Sequence, residues 1–359
     1  MALRYMAAFL VAIATSVALV PTARKLAFRF GAVSTPGGRN VNREPMPRLG
    51  GIAIFIALWL PVLALFFADE RVRTGIGAHW NRLAALVLGA ALLLVVGALD
   101  DLRGVRARTK LLAQVLAAAI AFAGNFRIDV VALPLFGNVD LGWVALPLTI
   151  IWVVGVVNAI NLIDGLDGLA AGITFFAAIT NFVVAYMFDS TLVSLVMVST
   201  LGAVLGFLVY NWNPARIFMG DSGSYSLGYV LALTAIAAPF QKASATVSLL
   251  VPIVSLGIPL VDTLLAMLRR VLERRSIFSP DRGHIHHRLL DMGITHRRAV
   301  LIIYGTSVAL TIAAIVISLG RDWQVGVAIS IAAVAIFLLV RAAGFFRAIG
   351  ATRGPGDEP

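Results

Sequence analysis

Clusters of acidic, amide and basic side chains interrupt an otherwise strongly apolar chain at four places. The first contains the adjacent Asp100 and Asp101, followed by Arg106, Arg108 and Lys110. Two neighbouring carboxylates at a helix C-terminus repel each other and face the negative end of the helix dipole. A structural role does not require that arrangement, so the pair predicts a site that binds Mg²⁺ or acts as a base toward a phosphate. A solvated helix end paired with arginine is the competing interpretation.

A second cluster has asparagine or aspartate at every third position, at Asn158, Asn161, Asp164 and Asp167. On a helical path, side chains at this spacing share one face. The glycines beside them allow a broken helix and a close approach of the backbone to a ligand. Irregular polar backbone at membrane depth is tolerated only where it lines a cavity. Helix capping explains one carboxylate but not all four side chains, so this segment predicts part of a binding site.

The third cluster begins at Asn211 and includes Phe218 and Asp221. Asp221 or Ser222 could cap the following helix, which is a frequent use of these residues. A loop of small residues that enters a helix also presents backbone N–H groups to an anion, and an adjacent carboxylate suits Mg²⁺ bound to a phosphate. Phe218 is either an ordinary core or lipid-facing aromatic residue or a surface on which a nucleotide base stacks.

Three of the five histidines lie within four residues of one another in the fourth cluster. It consists of Arg282, His284, His286, His287 and Arg288. A zinc site is conceivable, but the spacing is dense and the neighbouring arginines disfavour a cation. Arginine and histidine donors beside an acidic cavity are better suited to a diphosphate.

The composition indicates that these clusters lie in a polytopic integral membrane protein. Of the 359 residues, 60% are apolar and 13% are charged, whereas soluble domains have about 45–50% and 25%. The absence of cysteine excludes disulfides, thiolate metal sites and a cysteine nucleophile. Apolar runs predict an all-α fold with about eleven transmembrane helices. The predicted spans are 5–20, 50–68, 82–99, 111–124, 142–160, 168–188, 191–210, 224–240, 246–268, 299–320 and 324–346.

The distribution of basic residues predicts the orientation of the chain. The loops after spans 1, 3, 5, 7 and 9, with the C-terminal segment 341–359, contain 22 of the 29 Lys and Arg residues. The positive-inside rule therefore places the N-terminus outside, and the C-terminus and all four clusters on the cytoplasmic side. These loops account for the net charge of +11 without a nucleic-acid partner. The first span is interpreted as a retained helix because its basic flank follows the apolar run, unlike that of a signal peptide.

The expected organisation is a single transmembrane domain, 1–346, followed by a tail, 347–359, that is expected to be disordered. On one membrane face the clusters offer oxygen ligands for a divalent cation, an anion-binding helix start and basic donors. This combination predicts a site that moves a phosphoryl group between a water-soluble molecule and a membrane-embedded one.

In these motifs the chain resembles the polyprenyl-phosphate N-acetylhexosamine-1-phosphate transferases, over nearly its whole length and in the family's order. Residues 47–51 resemble the first-loop motif, and Asp100-Asp101 with Lys110 resembles the Asp-Asp motif and its following lysine. Residues 158–168 resemble the Asn-x-x-Asn-x-x-Asp-Gly-x-Asp-Gly segment, and Asn211 with 218–221 resembles the nucleotide and metal motif. The His-Ile-His-His run is similar to that of the WecA/TagO branch. The branch that transfers phospho-MurNAc-pentapeptide usually has a different His-rich loop.

The resemblance implies transfer of a sugar 1-phosphate from a UDP-N-acetylhexosamine to undecaprenyl phosphate, with release of UMP, in the inner (plasma) membrane of a bacterium. The form of the His loop favours GlcNAc as the sugar, and a homodimer would be unsurprising. The resemblance also implies Mg²⁺, with Mn²⁺ as an alternative, held by Asp221. Phe218 would stack on uracil with Asn211 nearby, and Lys110 would neutralise the lipid phosphate that Asp100 or Asp101 orients or deprotonates. The other site residues would bind nucleotide, phosphate, metal-bound water, diphosphate or sugar: Asn158, Asn161, Asp164, Asp167, Arg282, His284, His286, His287 and Arg288.

Three other classes of protein compete with this interpretation. Intramembrane aromatic prenyltransferases also use Asp-rich motifs with Mg²⁺, but their aspartates usually repeat at four-residue spacing, and they require no His cluster. CDP-alcohol phosphotransferases have an Asp-Gly-x-x-Ala-Arg run that is missing here. A transporter of a phosphorylated solute should have polar residues deep within its spans and internal repeats, neither of which is evident. Within the family, phospho-MurNAc-pentapeptide transfer remains the alternative.

Overall fold

A computed structural model describes residues 1–34, 45–133, 137–237, 245–274, 283–320 and 322–344. Arg282 and the tail 347–359, both subjects of the predictions above, lie outside the described residues. The α-helices are α1 Ala2–Phe30, α2 Gly50–Ala68, α3 Glu70–Ile76, α4 Trp80–Arg103, α5 Ala107–Ala123, α6 Ala145–Ile163, α7 Leu169–Met187, α8 Thr191–Asn211, α9 Gly220–Ala237, α10 Ala245–Ser255, α11 Gly257–Leu272, α12 Ile285–Asp291, α13 His296–Leu319 and α14 Asp322–Ala342.

The prediction of an all-α polytopic membrane protein is confirmed. In the described part of the chain, eight helices are long and apolar enough to cross a membrane by length and composition. They are α1, α2, α4, α6 (with the turn before it), α7, α8, α13 and most of α14. The other three predicted spans are also helical, but α5 has 17 residues, α9 begins with a polar turn, and the 246–268 span consists of two helices, α10 and α11, that meet near Leu256.

Helices α8 and α9 form the centre of the bundle. Helix α8 packs against α1, α2 and α7, and α9 packs against α4, α6 and α2. Small residues allow this close approach, since a side chain on Gly202 would overlap the backbone of Phe9 in α1. Ser16 also donates a hydrogen bond across this contact to the carbonyl of Ala203, at 2.7 Å. Small residues and interhelical hydrogen bonds are the usual means of packing helices in a lipid environment.

Two short antiparallel strand pairs lie in the loops and were not predicted. Strand β1 (Val33–Ser34) pairs with β2 (Met46–Pro47), and β3 (Val130–Leu133) pairs with β4 (Gly137–Asp140). The first pair joins residues 46–47, just before α2, to residues 33–34, just after α1. Backbone hydrogen bonds from this segment and the first residues of α2 to Phe218 and Met219 then hold it next to the start of α9, where the acidic residues lie.

Candidate functional site

Several helices end or begin at the same end of the bundle, and the predicted polar clusters meet there. Lys110, near the start of α5, lies between two carboxylates: its Nζ is 2.9 Å from Oδ2 of Asp100 in α4 and 3.3 Å from Oδ2 of Asp221 in α9. Asp100 also accepts a hydrogen bond from the backbone N–H of Val105, at 2.6 Å. A single ammonium group therefore links residues that are more than a hundred positions apart.

The two adjacent aspartates have different surroundings. Asp101 is only 8% exposed, and its two oxygens accept the backbone N–H groups of Asp221 and Ser222 at 3.0 and 3.1 Å. It therefore caps the N-terminus of α9 from a neighbouring helix, satisfying donors that a helix leaves unpaired at its start. Gly220 enters α9 with a φ of +73°, and a Cβ there would overlap the Arg48 carbonyl and the Asp101 carboxylate. Asp101 holds the start of α9, while Asp100 faces Lys110.

Asn161 extends the Lys110 site toward α6. Its Nδ2 donates to Oδ1 of Asp221 and to Oγ of Ser224, each at 2.9 Å. Asn158, one turn earlier, pairs instead with Gln114 of α5, whose Oε1 accepts its Nδ2 hydrogen at 2.7 Å. Gln114 is fully buried and was not predicted from the sequence, although an amide within an apolar helix is a recognisable signal.

The two aspartates that follow α6 also differ. Burial, reinforced by the negative charge of Asp221, raises the pKa of Asp164 to about 7. Asp164 can therefore exchange a proton near neutral pH. The carboxylate of Asp167 is buried and accepts hydrogen bonds from Asn213 Nδ2 and the Ala215 backbone N–H, at 2.9 and 3.0 Å. Its observed contacts fix the loop after α8.

Asn211 and Phe218 are parts of the loops that surround the acidic residues. The Asn211 amide accepts from the Gly168 backbone N–H and donates to the Ile217 carbonyl, both at 2.9 Å. Asn211 is buried, and its hydrogen bonds hold the second polar cluster against the third. Phe218 is half-buried, and its backbone pairs with residues 47–50 through hydrogen bonds of 2.8 Å to Pro47 and 3.1 Å from Gly50. The first-loop motif therefore packs directly on the start of α9.

The His cluster is anchored by an aspartate that the sequence analysis did not select. His284, which precedes α12, has its Nδ1 2.8 Å from Oδ2 of Asp262 in α11. His286 is 1% exposed and packs against Gly165 in the second polar cluster, so a Cβ on that glycine would overlap the imidazole. Burial and the nearby His287 lower the pKa of His286 to about 3, so its ring is neutral at physiological pH.

The other two described members of the cluster are half-buried. The rings of His286 and His287 have centroids 4.3 Å apart, and Arg288 donates from Nε to the Gly283 carbonyl at 3.1 Å. The contact of His286 with Gly165, the residue after Asp164, places the His cluster beside the second polar cluster. Neither ring nitrogen of His286 has a hydrogen-bond partner within the described ranges.

The donor set at Lys110 is compatible with Mg²⁺ bound to a phosphorylated substrate. Asp100 and Asp221 share one ammonium group, so a positive charge already lies between two carboxylates. Within the described residues, no three His, Asp or Glu side chains converge closely enough to hold a metal by themselves. Mg²⁺ in phosphoryl-transfer sites commonly uses one or two carboxylates and takes its remaining ligands from phosphates and water. The residues therefore fit a cation that the substrate helps to hold.

The helical bundle and the mixed acidic and basic site at its end define an integral membrane enzyme that handles phosphorylated substrates. Residues 83–238 match the model of Glycosyl transferase family 4. The chain is 37% identical over 322 residues to the "Probable undecaprenyl-phosphate N-acetylglucosaminyl 1-phosphate transferase" of Bacillus subtilis strain 168, covering 89% of this chain and 87% of that protein. The chain belongs to this family of membrane glycosyl-1-phosphate transferases.

Two further relatives represent different activities within the family. The chain is 36% identical over 305 residues to the decaprenyl-phosphate N-acetylglucosaminephosphotransferase of Mycolicibacterium smegmatis, covering 78% of this chain and 74% of that protein. It is 32% identical over 331 residues to the phospho-N-acetylmuramoyl-pentapeptide-transferase of Desulforudis audaxviator, covering 85% and 94%. The two relatives named for GlcNAc transfer are thus somewhat more similar to this chain in sequence. The match to the Desulforudis protein covers a larger share of that relative's length.

Proposed function

We propose that this enzyme transfers GlcNAc-1-phosphate from UDP-GlcNAc to undecaprenyl phosphate, releasing UMP, as the first membrane step in the synthesis of a cell-envelope glycan. The names of the Bacillus and Mycolicibacterium relatives support this choice of donor sugar and lipid class. The observation that carries the proposal is the position of Lys110 between Asp100 and Asp221 at the start of α9. Such a site can bind phosphates together with a divalent cation at the end of a membrane bundle.

In the proposed mechanism, the Lys110 ammonium neutralises the phosphate of the lipid acceptor. Asp100, which is already hydrogen-bonded to Lys110, orients that phosphate or accepts its proton. Asp221 holds Mg²⁺, with Mn²⁺ as an alternative, and Asn161 fixes the orientation of the Asp221 carboxylate. When bound, the metal supplies positive charge that offsets the charge of the donor diphosphate.

The lipid phosphate oxygen attacks the sugar-side phosphorus of UDP-GlcNAc in line with the bond to UMP. One phosphorus–oxygen bond forms as another breaks, so a diphosphate replaces a diphosphate and the reaction is readily reversible. Asp164, whose pKa is raised to about 7 by burial and nearby negative charge, is the alternative to Asp100 for accepting the proton that the lipid phosphate gives up. Asp101 and Asp167 act by holding the start of α9 and the loop after α8.

The proposed location is the inner (plasma) membrane of a bacterial cell, with this site facing the cytoplasm. The concentration of Lys and Arg in one set of loops supports that orientation. In this location the site meets the water-soluble nucleotide sugar on one side and the lipid phosphate on the other.

Transfer of phospho-MurNAc-pentapeptide is the second candidate function, because the Desulforudis relative is named for it and is matched over 94% of its length. The His-Ile-His-His run favours GlcNAc. The two candidates differ only in the donor, so one assay separates them.

The test is transfer by purified protein in detergent, with undecaprenyl phosphate and either UDP-GlcNAc or UDP-MurNAc-pentapeptide. We expect UMP release and lipid labelling with UDP-GlcNAc, loss of both on chelation, and recovery on addition of Mg²⁺. Asp221→Asn should abolish turnover in protein that remains monodisperse, while Asp129→Asn, an exposed residue outside the site, should remain active. Turnover with UDP-MurNAc-pentapeptide alone would establish the second candidate, and chelator-resistant turnover would refute the metal assignment.

A further inference from the structure

Helix α11 contains one buried carboxylate that the proposed mechanism does not use. Asp262 is 1% exposed and lies on the buried side of α11, as do Arg269 and Arg270 of the last turn. A buried carboxylate in a membrane protein is costly unless it is paired and hydrogen-bonded, and such residues commonly face a functional site. Because Asp262 lies near the His cluster, its hydrogen bonds show which part of that cluster it holds in place.

Both oxygens of Asp262 contact the beginning of the His cluster. Oδ2 lies 2.8 Å from Nδ1 of His284, and Oδ1 accepts the backbone N–H of Ile285 at 2.8 Å. His284 is itself only 4% exposed. The ring and the first peptide group of α12 are therefore held by one carboxylate from a different helix.

The contact with the carboxylate determines which ring nitrogen bears hydrogen. A carboxylate only accepts, so Nδ1 of His284 must be the donor, and in the neutral form of the ring this leaves Nε2 as the acceptor. Nε2 makes no hydrogen bond within the described part of the chain. Orienting a functional imidazole through its second nitrogen is a general use of buried carboxylates.

We infer that Asp262 is a positioning residue for this transferase, which fixes the ring orientation and tautomer of His284 so that Nε2 accepts a hydrogen bond from the donor substrate. An acceptor at this position suits a hydroxyl or amide N–H of the sugar. The inference rests on the proposed function, because it assigns His284 a role in binding the UDP-sugar.

Asp262→Asn tests this role with little change in shape. The remaining carbonyl oxygen can still accept the Ile285 N–H, but the amide NH₂ then faces Nδ1 and favours the opposite tautomer. We expect kcat/KM for UDP-GlcNAc to fall by about ten- to a hundredfold, the range typical of residues that orient a ligand through hydrogen bonds. Asp291→Asn removes the same charge from the exposed end of α12 and should leave kcat/KM unchanged.

A double-mutant cycle distinguishes positioning from a purely structural role. If Asp262 acts through His284, adding Asp262→Asn to His284→Ala should cost no more than about a further twofold, because coupled residues are not additive. If Asp262 only caps α12, its substitution should lower activity by the same factor in both backgrounds. Additive losses, or wild-type kcat/KM in Asp262→Asn, would overturn the inference.

Two further outcomes separate this inference from the proposed function. Active wild-type protein whose Asp262→Asn variant is not monodisperse would assign the carboxylate to folding and overturn the positioning role. Wild-type protein that is folded but transfers no GlcNAc-1-phosphate would overturn the proposed function, and the inference with it. The wild-type measurement therefore comes first.

Discussion

Substitution of Asp101 by asparagine should destabilise the protein, whereas the same change at Asp100 should mainly reduce turnover. The two carboxylates are adjacent in sequence, but Asp101 accepts two backbone N–H groups at the start of α9, and Asp100 faces Lys110. Comparison of the two variants therefore tests whether adjacent residues of one motif have different roles, one in stability and one in turnover.

The expected size of the effect follows from the hydrogen bonds. The asparagine at position 101 keeps one acceptor oxygen, and its NH₂ group faces the second N–H donor. A buried N–H that loses its acceptor costs about 1–3 kcal/mol, and loss of negative charge at a helix N-terminus costs a further ~0.3–1 kcal/mol. A total of about 1–4 kcal/mol corresponds to a fall in Tm of roughly 3–8 °C for a large domain, at about 2 °C per kcal/mol.

Asp100→Asn should be much milder in its effect on stability. The new carbonyl can still accept the Val105 N–H, and the lost ion pair to Lys110 is partly solvent-exposed. Such pairs contribute about 0–1 kcal/mol. We expect a Tm within about 2 °C of wild type by the same conversion, with a clear loss of UMP release.

Thermal unfolding of each purified variant in the same detergent, followed by the transfer assay at a temperature where both are folded, measures the two effects separately. A wild-type Tm in Asp101→Asn would refute the capping role. A larger fall in Tm for Asp100→Asn than for Asp101→Asn would show that the two assignments are reversed.

Three further substitutions test two residues that support the site, Gly51 and Asn211, and one at its centre, Lys110. Gly51→Ala should inactivate and destabilise the protein because its Cβ would overlap the backbone of α9. Its control is Gly155→Ala, which has open space around it and should leave both Tm and transfer activity unchanged. Asn211→Ala removes two buried hydrogen bonds and should lower the free energy of unfolding by about 2 kcal/mol, measured as a reduced Tm. Lys110→Gln should raise the KM for undecaprenyl phosphate at least tenfold, whereas Arg108→Gln, an exposed neighbour, should not; equal effects would exclude a specific role for Lys110.

The helices were largely predictable because each apolar run must satisfy its own backbone hydrogen bonds in a membrane. Two features of the fold were less accessible to such reasoning. The 246–268 run has no charged residue before Asp262 and only scattered Thr, Ser, Gly and Pro, so hydropathy alone does not show that it divides into α10 and α11 near Leu256. The short β1–β2 pair depends on a backbone pairing across more than ten residues, and neither two-residue strand has a periodic pattern to detect.

Within the site, the residue types predicted where the polar side chains lie better than they predicted the role of each side chain. Asp100 and Asp101 have the same chemistry and adjacent positions, and only the packing of α9 beside α4 gives one of them two backbone donors. Asn211 was expected near nucleotide, yet both ends of its amide contact backbone. Contacts between distant segments decide such roles, and one sequence contains no direct record of them.

Several polar residues near the site form a rigid support around Lys110, Asp100 and Asp221, the residues to which the proposed mechanism assigns substrate and metal. A loop at a membrane end has little apolar core of its own, so buried hydrogen bonds must fix its backbone. Asp101, Asp167 and Asn211 do this for the start of α9 and the loops beside it. Asp262 does the same for the beginning of α12. A lone carboxylate in an apolar run is therefore a useful sequence signal even without a motif, because its burial requires a partner elsewhere in the fold.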